Sequence, residues 1–146
     1  MINIENLTEL TVPLELLENI AKFLTSREID LTLCYNSTIQ AYNKEYRHKD
    51  QPTDVLSFPI ENDFIIANET VMPLGSIVIS ANYVETKSNE LGHSSEDELT
   101  LLFIHGLLHI LGYDHEMDCG EMREKEILII KKFNLPKSLI VRTEEN

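Results

Sequence analysis

The amino-acid sequence predicts one α/β or α+β domain, residues 1–146, with a mixed sheet of four strands and about five helices packed on it. A length of 146 residues suits a single domain, and 42% hydrophobic with 25% charged residues is ordinary for a globular protein. Apolar residues recur with periods of two and of 3.6 in the order β-α-β-α-β-β-α-α-α. No internal repeat or linker-like stretch divides the chain. Strand order, which separates α/β from α+β, is not visible in the sequence.

The first part of the chain alternates strands and helices. Residues 2–7 alternate weakly between apolar and polar side chains and predict a short strand. An amphipathic helix over residues 13–25 begins at a proline, which the first turn of a helix favours. Residues 29–35 alternate with period two and predict a second strand. Ser37 is then the expected cap of a helix that ends at about Arg47.

Turn-forming residues divide the middle of the chain. The turn 52–54 precedes a short strand, residues 55–58, which Pro59 ends because proline cannot donate to a sheet ladder. Residues 61–72 predict irregular or hairpin structure. Residues 74–80 have the clearest strand pattern in the chain.

Three helices are predicted in the last part of the chain. The first covers about residues 81–89. Ser95 and Glu98 have the spacing of a capping box, which predicts the start of the helix that carries the apolar run up to His109. The last helix, residues 118–133, is amphipathic and ends at an asparagine followed by a proline.

Composition limits the partners of the protein. Lys and Arg number 12 against 25 Asp and Glu, a net charge of −13, so nucleic acid would meet long-range repulsion except at a local basic pocket. Lys44, Arg47, His48 and Lys49 form the candidate pocket, although such a cluster is also typical of a solvated helix end. Two cysteines are too few for a disulfide framework. With neither a signal peptide nor a membrane-spanning run in the sequence, we expect a cytoplasmic protein without a membrane partner.

Three histidines at residues 105–115 form the most informative motif. His105 and His109 share one helix face, about 6 Å apart along the axis, and His115 follows Gly112, which can end the helix with a positive φ. Burying three unpartnered imidazoles would cost a few kcal/mol, a cost that a metal removes. Three neutral imidazoles also leave one position of a tetrahedral zinc ion open, as in catalytic sites. We therefore predict one Zn²⁺ held by His105, His109, His115 and a water molecule.

The residue after the first histidine of this motif distinguishes the sequence from metallopeptidases with the same histidine spacing. The spacing follows the metzincin peptidase pattern H-E-x-x-H-x-x-G-x-x-H, except that Gly106 stands where those peptidases carry the glutamate that activates water. Without that carboxylate, peptide hydrolysis loses its general base. A zinc metallopeptidase is therefore the alternative hydrolase.

Three stretches together resemble one protein family. Residues 105–115 resemble the H-G-x-L-H-x-x-G-Y-D-H motif of the YbeY proteins, the single-strand endoribonucleases of bacterial ribosomal RNA maturation. Residues 43–59 resemble its second signature, N-x-x-Y-R-x-x-D-x-P-T-D-V-L-S-F-P, and residues 74–80 its third, L-G-D-I-x-I-S. Ser76 stands where the family commonly has Asp, so an acidic role for that strand position does not carry over.

The resemblance implies an activity, a cofactor and partners. The protein would be a zinc-dependent endoribonuclease acting on single-stranded RNA in small-subunit ribosomal RNA maturation and ribosome quality control. Its partners would be the small ribosomal subunit and its assembly factors, with no DNA substrate. His105, His109 and His115 would be the zinc ligands, and Arg47 would hold a phosphate across the cleft. A non-catalytic ribosome assembly factor with a structural metal is the alternative from another class.

Several roles stay open at this point. For the general base, Asp114 could instead orient a metal ligand or only cap the turn after Gly112, and Glu116 is similarly placed. Cys119 is either a soft fourth ligand or a small buried residue on the last helix, which the usual burial of free cysteine favours. Three aromatic side chains are candidates for stacking on RNA bases: Tyr46, Phe58 and Tyr113.

Overall fold

A computed structural model describes residues 1–60, 73–114 and 116–136. Within these ranges the chain forms four strands and five helices in the predicted order. The elements are β1 (Ile2–Asn6), α1 (Leu14–Leu24), β2 (Ile29–Cys34), α2 (Asn36–Arg47), β3 (Val55–Pro59), β4 (Gly75–Ser80), α3 (Ala81–Leu91), α4 (Ser95–Ile110) and α5 (Glu121–Phe133). The hairpin predicted for residues 61–72 lies outside the described residues. None of the described helices is long and apolar enough to cross a membrane.

The four strands form one mixed sheet in the order β1-β2-β4-β3, which confirms the predicted architecture. β1, β2 and β4 are parallel, and β3 runs antiparallel to β4. Among the described strands β3 has β4 as its sole partner, so it lies at an edge. Pro59 suits this position because an edge strand does not need every backbone N–H for pairing.

The two faces of the sheet carry different cores. On one face, Ile77 and Ile79 of β4 join the large apolar core that α1, α3, α4 and α5 complete. On the other face, Leu56 and Val78 pack with Ile39 of α2 in a smaller cluster. The period of two along each strand thus places α2 and α4 on opposite sides of the sheet.

Helix α4 is the central helix of the fold. It is buried over most of its 16 residues, and it packs on β3 and β4 as well as on α1, α3 and α5. A helix that is apolar on all sides is one that the protein encloses. Side chains at the carboxyl end of α4 are therefore held in a well-defined position.

Two predicted helix caps are wrong, one at a helix that a distant side chain contacts and one at a helix capped by the preceding serine. Helix α2 begins at Asn36 rather than after Ser37, since the Asn36 N–H donates to Oδ1 of Asn82 at 2.7 Å. Helix α4 has Ser94 as its cap, its Oγ accepting the Asp97 N–H at 3.0 Å. The carboxylate expected in the capping box, Glu98, is instead buried against the ring of His93.

The last helix begins three residues later than predicted, at Glu121. Asp118 lies ahead of it, and its carboxylate accepts the backbone N–H groups of Gly120 at 2.9 Å and Met122 at 3.0 Å. An acidic side chain at this end is favourable because the amino terminus of a helix carries partial positive charge. The helix ends where predicted, with Asn134 in the left-handed conformation at φ 58°.

Candidate functional site

The side chains of His105 and His109 meet at the carboxyl end of α4. Their Nε2 atoms lie 3.2 Å apart, and their rings cross at 77°. Two nitrogens bound to one tetrahedral zinc ion at about 2.0–2.1 Å would be about 3.3–3.4 Å apart. The pair therefore fits a zinc ion with almost no change in separation.

The third predicted ligand, His115, lies outside the described residues, so its place at the site stays a prediction. Among the residues that are described, no group of three His, Cys, Asp or Glu side chains could hold a metal ion. The chain does turn after α4 as expected. Gly112 has φ 102°, and the Tyr113 N–H donates back to the carbonyl of Leu108 at 3.0 Å.

A buried carboxylate on α5 orients one of the two histidines. Nδ1 of His105 donates to Oε2 of Glu126 at 2.8 Å, and the Glu126 side chain is 1% exposed. With Nδ1 protonated, the lone pair of His105 is on Nε2, the atom that faces His109. Carboxylates that hold metal-binding histidines in this way fix both the tautomer and the direction of the ring.

Sequence reasoning assigned this orienting role to Asp114 as one option and missed Glu126. Oδ1 of Asp114 accepts the Glu116 N–H at 3.1 Å, which supports the other option, capping of the turn. A signal for Glu126 was present in the sequence: it lies between Met122 and Ile129 on the buried stripe of α5. An acidic residue on an apolar stripe needs a partner, since burial of an unpaired charge is costly.

Arg47 reaches the same pocket from the other side of the sheet. It is the last residue of α2, and its Nη2 donates to the backbone carbonyl of Ser57 on edge strand β3 at 3.3 Å. The pocket measures about 330 Å³ and is lined by Arg47, Asp54, Val55, Ser57, Pro59, His105 and His109. The structure thus brings three of the four predicted site residues together.

Asp54 adds a carboxylate that sequence reasoning did not single out. Its Oδ1 accepts the backbone N–H of Val55 at 2.8 Å and lies 3.3 Å from the hydroxyl of Thr53. These contacts hold the carboxylate at the start of β3, within the pocket. A group of this type can accept a proton from a substrate or from water.

The packing of α4 on the sheet leaves little space for a side chain at position 106. A Cβ atom there would lie 3.0 Å from Ile77 Cγ2, 3.1 Å from Ser57 Oγ and 3.3 Å from Val55 Cγ2. The Ser57 hydroxyl also donates to the Gly106 carbonyl at 3.0 Å, which fastens the helix to β3. A glutamate at this position would crowd these three side chains, which counts against the chemistry of the metzincin pattern.

The two cysteines lie in different environments. Cys119 is exposed and precedes α5, so its assignment as a buried residue on the last helix is wrong. Its role as a metal ligand stays a prediction. Cys34 is the buried cysteine, and burial raises the pKa of its thiol from 9.0 to about 11, an effect that a hydrogen bond from the Ile39 backbone only partly offsets.

Comparisons with known proteins agree on one family. The family described as Endoribonuclease YbeY matches residues 3–134. The chain is 55% identical to Endoribonuclease YbeY of Sulfurovum sp. (strain NBC37-1) over 144 residues, covering 99% of this chain and 98% of the relative. It is 52% identical to Endoribonuclease YbeY of Campylobacter jejuni (strain RM1221) over 132 residues, covering 90% of this chain and 94% of that one.

A solved structure shares the fold. The solution structure of a Thermotoga maritima protein superposes with a TM-score of 0.60 at 30% sequence identity. The match covers 91% of this chain and 89% of the Thermotoga chain.

Proposed function

The chain belongs to the YbeY family of endoribonucleases, and from this premise we propose that it cleaves single-stranded RNA with the help of zinc. The substrate in this proposal is ribosomal RNA of the small subunit, during its maturation and in ribosome quality control. The small ribosomal subunit and its assembly factors are the proposed partners. The observation that carries the proposal is the convergence of His105, His109 and Arg47 on one pocket.

His105, His109 and His115 would hold the zinc ion. When bound, such an ion polarises a phosphoryl oxygen and lowers the pKa of a bound water toward ~7. Glu126 prepares the site by keeping a proton on Nδ1 of His105, which places the lone pair on Nε2, the atom that would bind the metal. Burial of His105 within α4 and its contact with Glu126 support the same geometry, while His109 faces the pocket.

Arg47 would bind the phosphodiester next to the reacting bond. Its planar guanidinium can donate two parallel hydrogen bonds to phosphate oxygens and carries a permanent positive charge. The contact with the Ser57 carbonyl holds the side chain across β3, facing the histidines in the pocket. Fixed donors of this kind stabilise charge that develops in a transition state.

Two other functions compete with this proposal. A metallopeptidase is disfavoured because position 106 holds glycine in place of the glutamate and faces the sheet, where a larger side chain would be crowded. A non-catalytic assembly factor would use its metal only to hold the end of α4. Removal of the metal by a chelator separates this case, since a structural zinc contributes folding free energy and a catalytic one leaves the fold largely intact.

The test is cleavage of a labelled single-stranded ribosomal RNA fragment by the purified protein, with His109→Ala and Arg47→Ala in parallel. Metal content is measured on the same samples. We expect cleavage to disappear in both variants and metal to be lost only from His109→Ala. Cleavage that persists in both variants would point to a contaminating nuclease and would favour the assembly-factor function.

A further inference from the structure

The edge strand β3 has a second concave surface on the face opposite the histidines. This surface, here called the α2 groove, measures about 330 Å³ and is lined by Thr32, Tyr42, Tyr46, Phe58, Ser76 and Val78. Along β3, Ser57 lines the histidine pocket and Phe58 lines the α2 groove, as the alternation of a strand requires. Along α2, Arg47 lines the first and Tyr46 the second. One strand therefore separates the two surfaces.

Tyr46 is held in place while much of its ring stays open to solvent. It is 57% exposed, the most exposed aromatic side chain among the described residues. Its ring stacks beside Tyr42, with centroids 6.2 Å apart and planes at 19°, and meets the edge of Phe58 at 5.3 Å. Three aromatic rings thus form a preorganised apolar surface, which would lose little side-chain entropy on binding a flat ligand.

The lining of the α2 groove is uncharged, although the protein as a whole is acidic. None of the side chains that line the groove is charged, in a chain with net charge −13. Arg47 and Lys49 lie at the adjacent end of α2 and are exposed. Asp30 pairs in register with Ser76 at the β2 side of the groove, so a polyanion would approach from the side of Arg47 and Lys49.

We propose that the α2 groove binds one base of single-stranded RNA by stacking on Tyr46, next to the phosphate that Arg47 holds. The RNA would cross the edge of β3, with a phosphate on the α4 side of the strand and a neighbouring base on the α2 side. This inference rests on the proposed function and adds a reason for single-strand selectivity. A base in a duplex is stacked and paired and cannot reach an aromatic ring, whereas an unpaired base can.

The test measures affinity in the His109→Ala background, so that RNA is not cut, with a 5′-labelled oligouridine and oligoadenosine. We expect Tyr46→Ala to weaken binding on the order of 5- to 150-fold and Tyr46→Phe to change it by less than about twofold, because stacking needs only the ring. Ser76→Asp is expected to weaken binding as well, by placing a carboxylate in the groove. Phe23→Ala is the matched control, since Phe23 is an exposed aromatic on α1.

A series of oligonucleotides with one abasic residue at each position identifies the stacked base. In the parent protein one abasic position should lower affinity, and in Tyr46→Ala that loss should vanish, as a double-mutant cycle requires for a direct contact. If Tyr46→Ala binds RNA as tightly as the parent while the wild-type chain cleaves RNA normally, the groove proposal alone is overturned. The α2 groove would then be a site for a protein ligand. Absence of both binding and cleavage by the wild-type chain would overturn the proposed function too.

Discussion

Glu126 decides which ring nitrogen of His105 is available to a metal. Replacing it by Gln keeps the size of the side chain but removes the charged acceptor of the Nδ1 proton. We expect Glu126→Gln to lower zinc affinity by about 10- to 100-fold, the usual effect of losing a carboxylate that orients a ligand. Competition with a metal-binding dye measures this affinity without reference to RNA cleavage.

Glu98 provides a matched control for that experiment. It is also 1% exposed and lies 2.8 Å from a histidine ring, that of His93, at the other end of α4. Glu98→Gln should therefore cost stability without changing zinc affinity. If both variants lost zinc to the same extent, general loosening of the fold would explain the result, and Glu126 would have no specific role.

Arg47 should not be replaceable by lysine, although the charge is the same. Arg47→Lys loses the planar fork and the donor to the Ser57 carbonyl, so the cation would no longer be fixed in the pocket. We expect the rate of RNA cleavage to fall by about 10²- to 10³-fold, with zinc content unchanged. Cleavage by Arg47→Lys at the wild-type rate would contradict the phosphate-binding role.

The two thiols should react very differently. Cys34 is fully buried with its pKa raised to about 11 mainly by burial, whereas Cys119 is exposed. Because the thiolate is the reactive form, a disulfide reagent at pH 8 should modify one thiol in the native protein and two after denaturation. Cys119→Ser should leave no reactive thiol in the native state. Modification of Cys34 without unfolding would contradict its burial.

The same pKa shift sets a dependence of stability on pH. The folded state holds the Cys34 proton more tightly than the unfolded chain does. The contribution of the protonated Cys34 thiol to the free energy of unfolding is therefore fully present below pH 9.0 and is lost as the pH rises toward about 11.

At the scale of elements, the contact of α4 with β3 and β4 depends on the absence of a side chain at position 106. Gly106→Ala should lower the free energy of unfolding, because overpacking against Ile77 and Val55 costs about 1–3 kcal/mol and exceeds the gain in helix propensity of about 1 kcal/mol. Thermal denaturation measures the change.

Ser37→Ala is the control for helix propensity. Ser37 is exposed within the first turn of α2 and makes no capping hydrogen bond, so alanine there should be neutral or slightly stabilising. A loss of about 1 kcal/mol in Ser37→Ala would restore its role as a cap. An unchanged stability of Gly106→Ala would mean that α4 can move away from the sheet at little cost.

The order and type of the elements could be predicted because apolar periodicity reports which face of each segment is buried. The caps of α2 and α4 could not: Asn82 reaches the first turn of α2 from a distant part of the chain, and Glu98 pairs with the nearby His93 instead of forming a capping box. Contacts between distant residues also limit what can be predicted at the site. The spacing of His105 and His109 can be recognised in the sequence, but the partner of His105 lies 21 residues further on and depends on how α5 packs against α4.

At the scale of the whole molecule, the small number of cations near the pocket, in a chain of net charge −13, predicts weak salt dependence of RNA binding. A site built from Arg47 and one or two neighbouring lysines neutralises about 1–3 phosphates, which gives a slope of about −0.7 to −2 in log K against log salt. The slope is measured from the affinity for a labelled oligonucleotide between 50 and 200 mM salt. Over this range the affinity should change by less than about 20-fold. A slope steeper than about −4 would require a larger basic surface than the described residues provide.

The position of Arg47 across an edge strand has a consequence for how the protein avoids self-association. An open strand edge is a template on which a second chain can add a strand, and natural proteins block such edges with prolines and charged side chains. In β3, Pro59 removes one donor and the Arg47 guanidinium occupies the Ser57 acceptor. Arg47, which we propose binds substrate, thereby also hinders the addition of another strand to the sheet. Arg47→Ala should therefore be more prone to aggregate than Arg47→Lys, which also loses the contact with the Ser57 carbonyl but keeps a positive charge beside the strand.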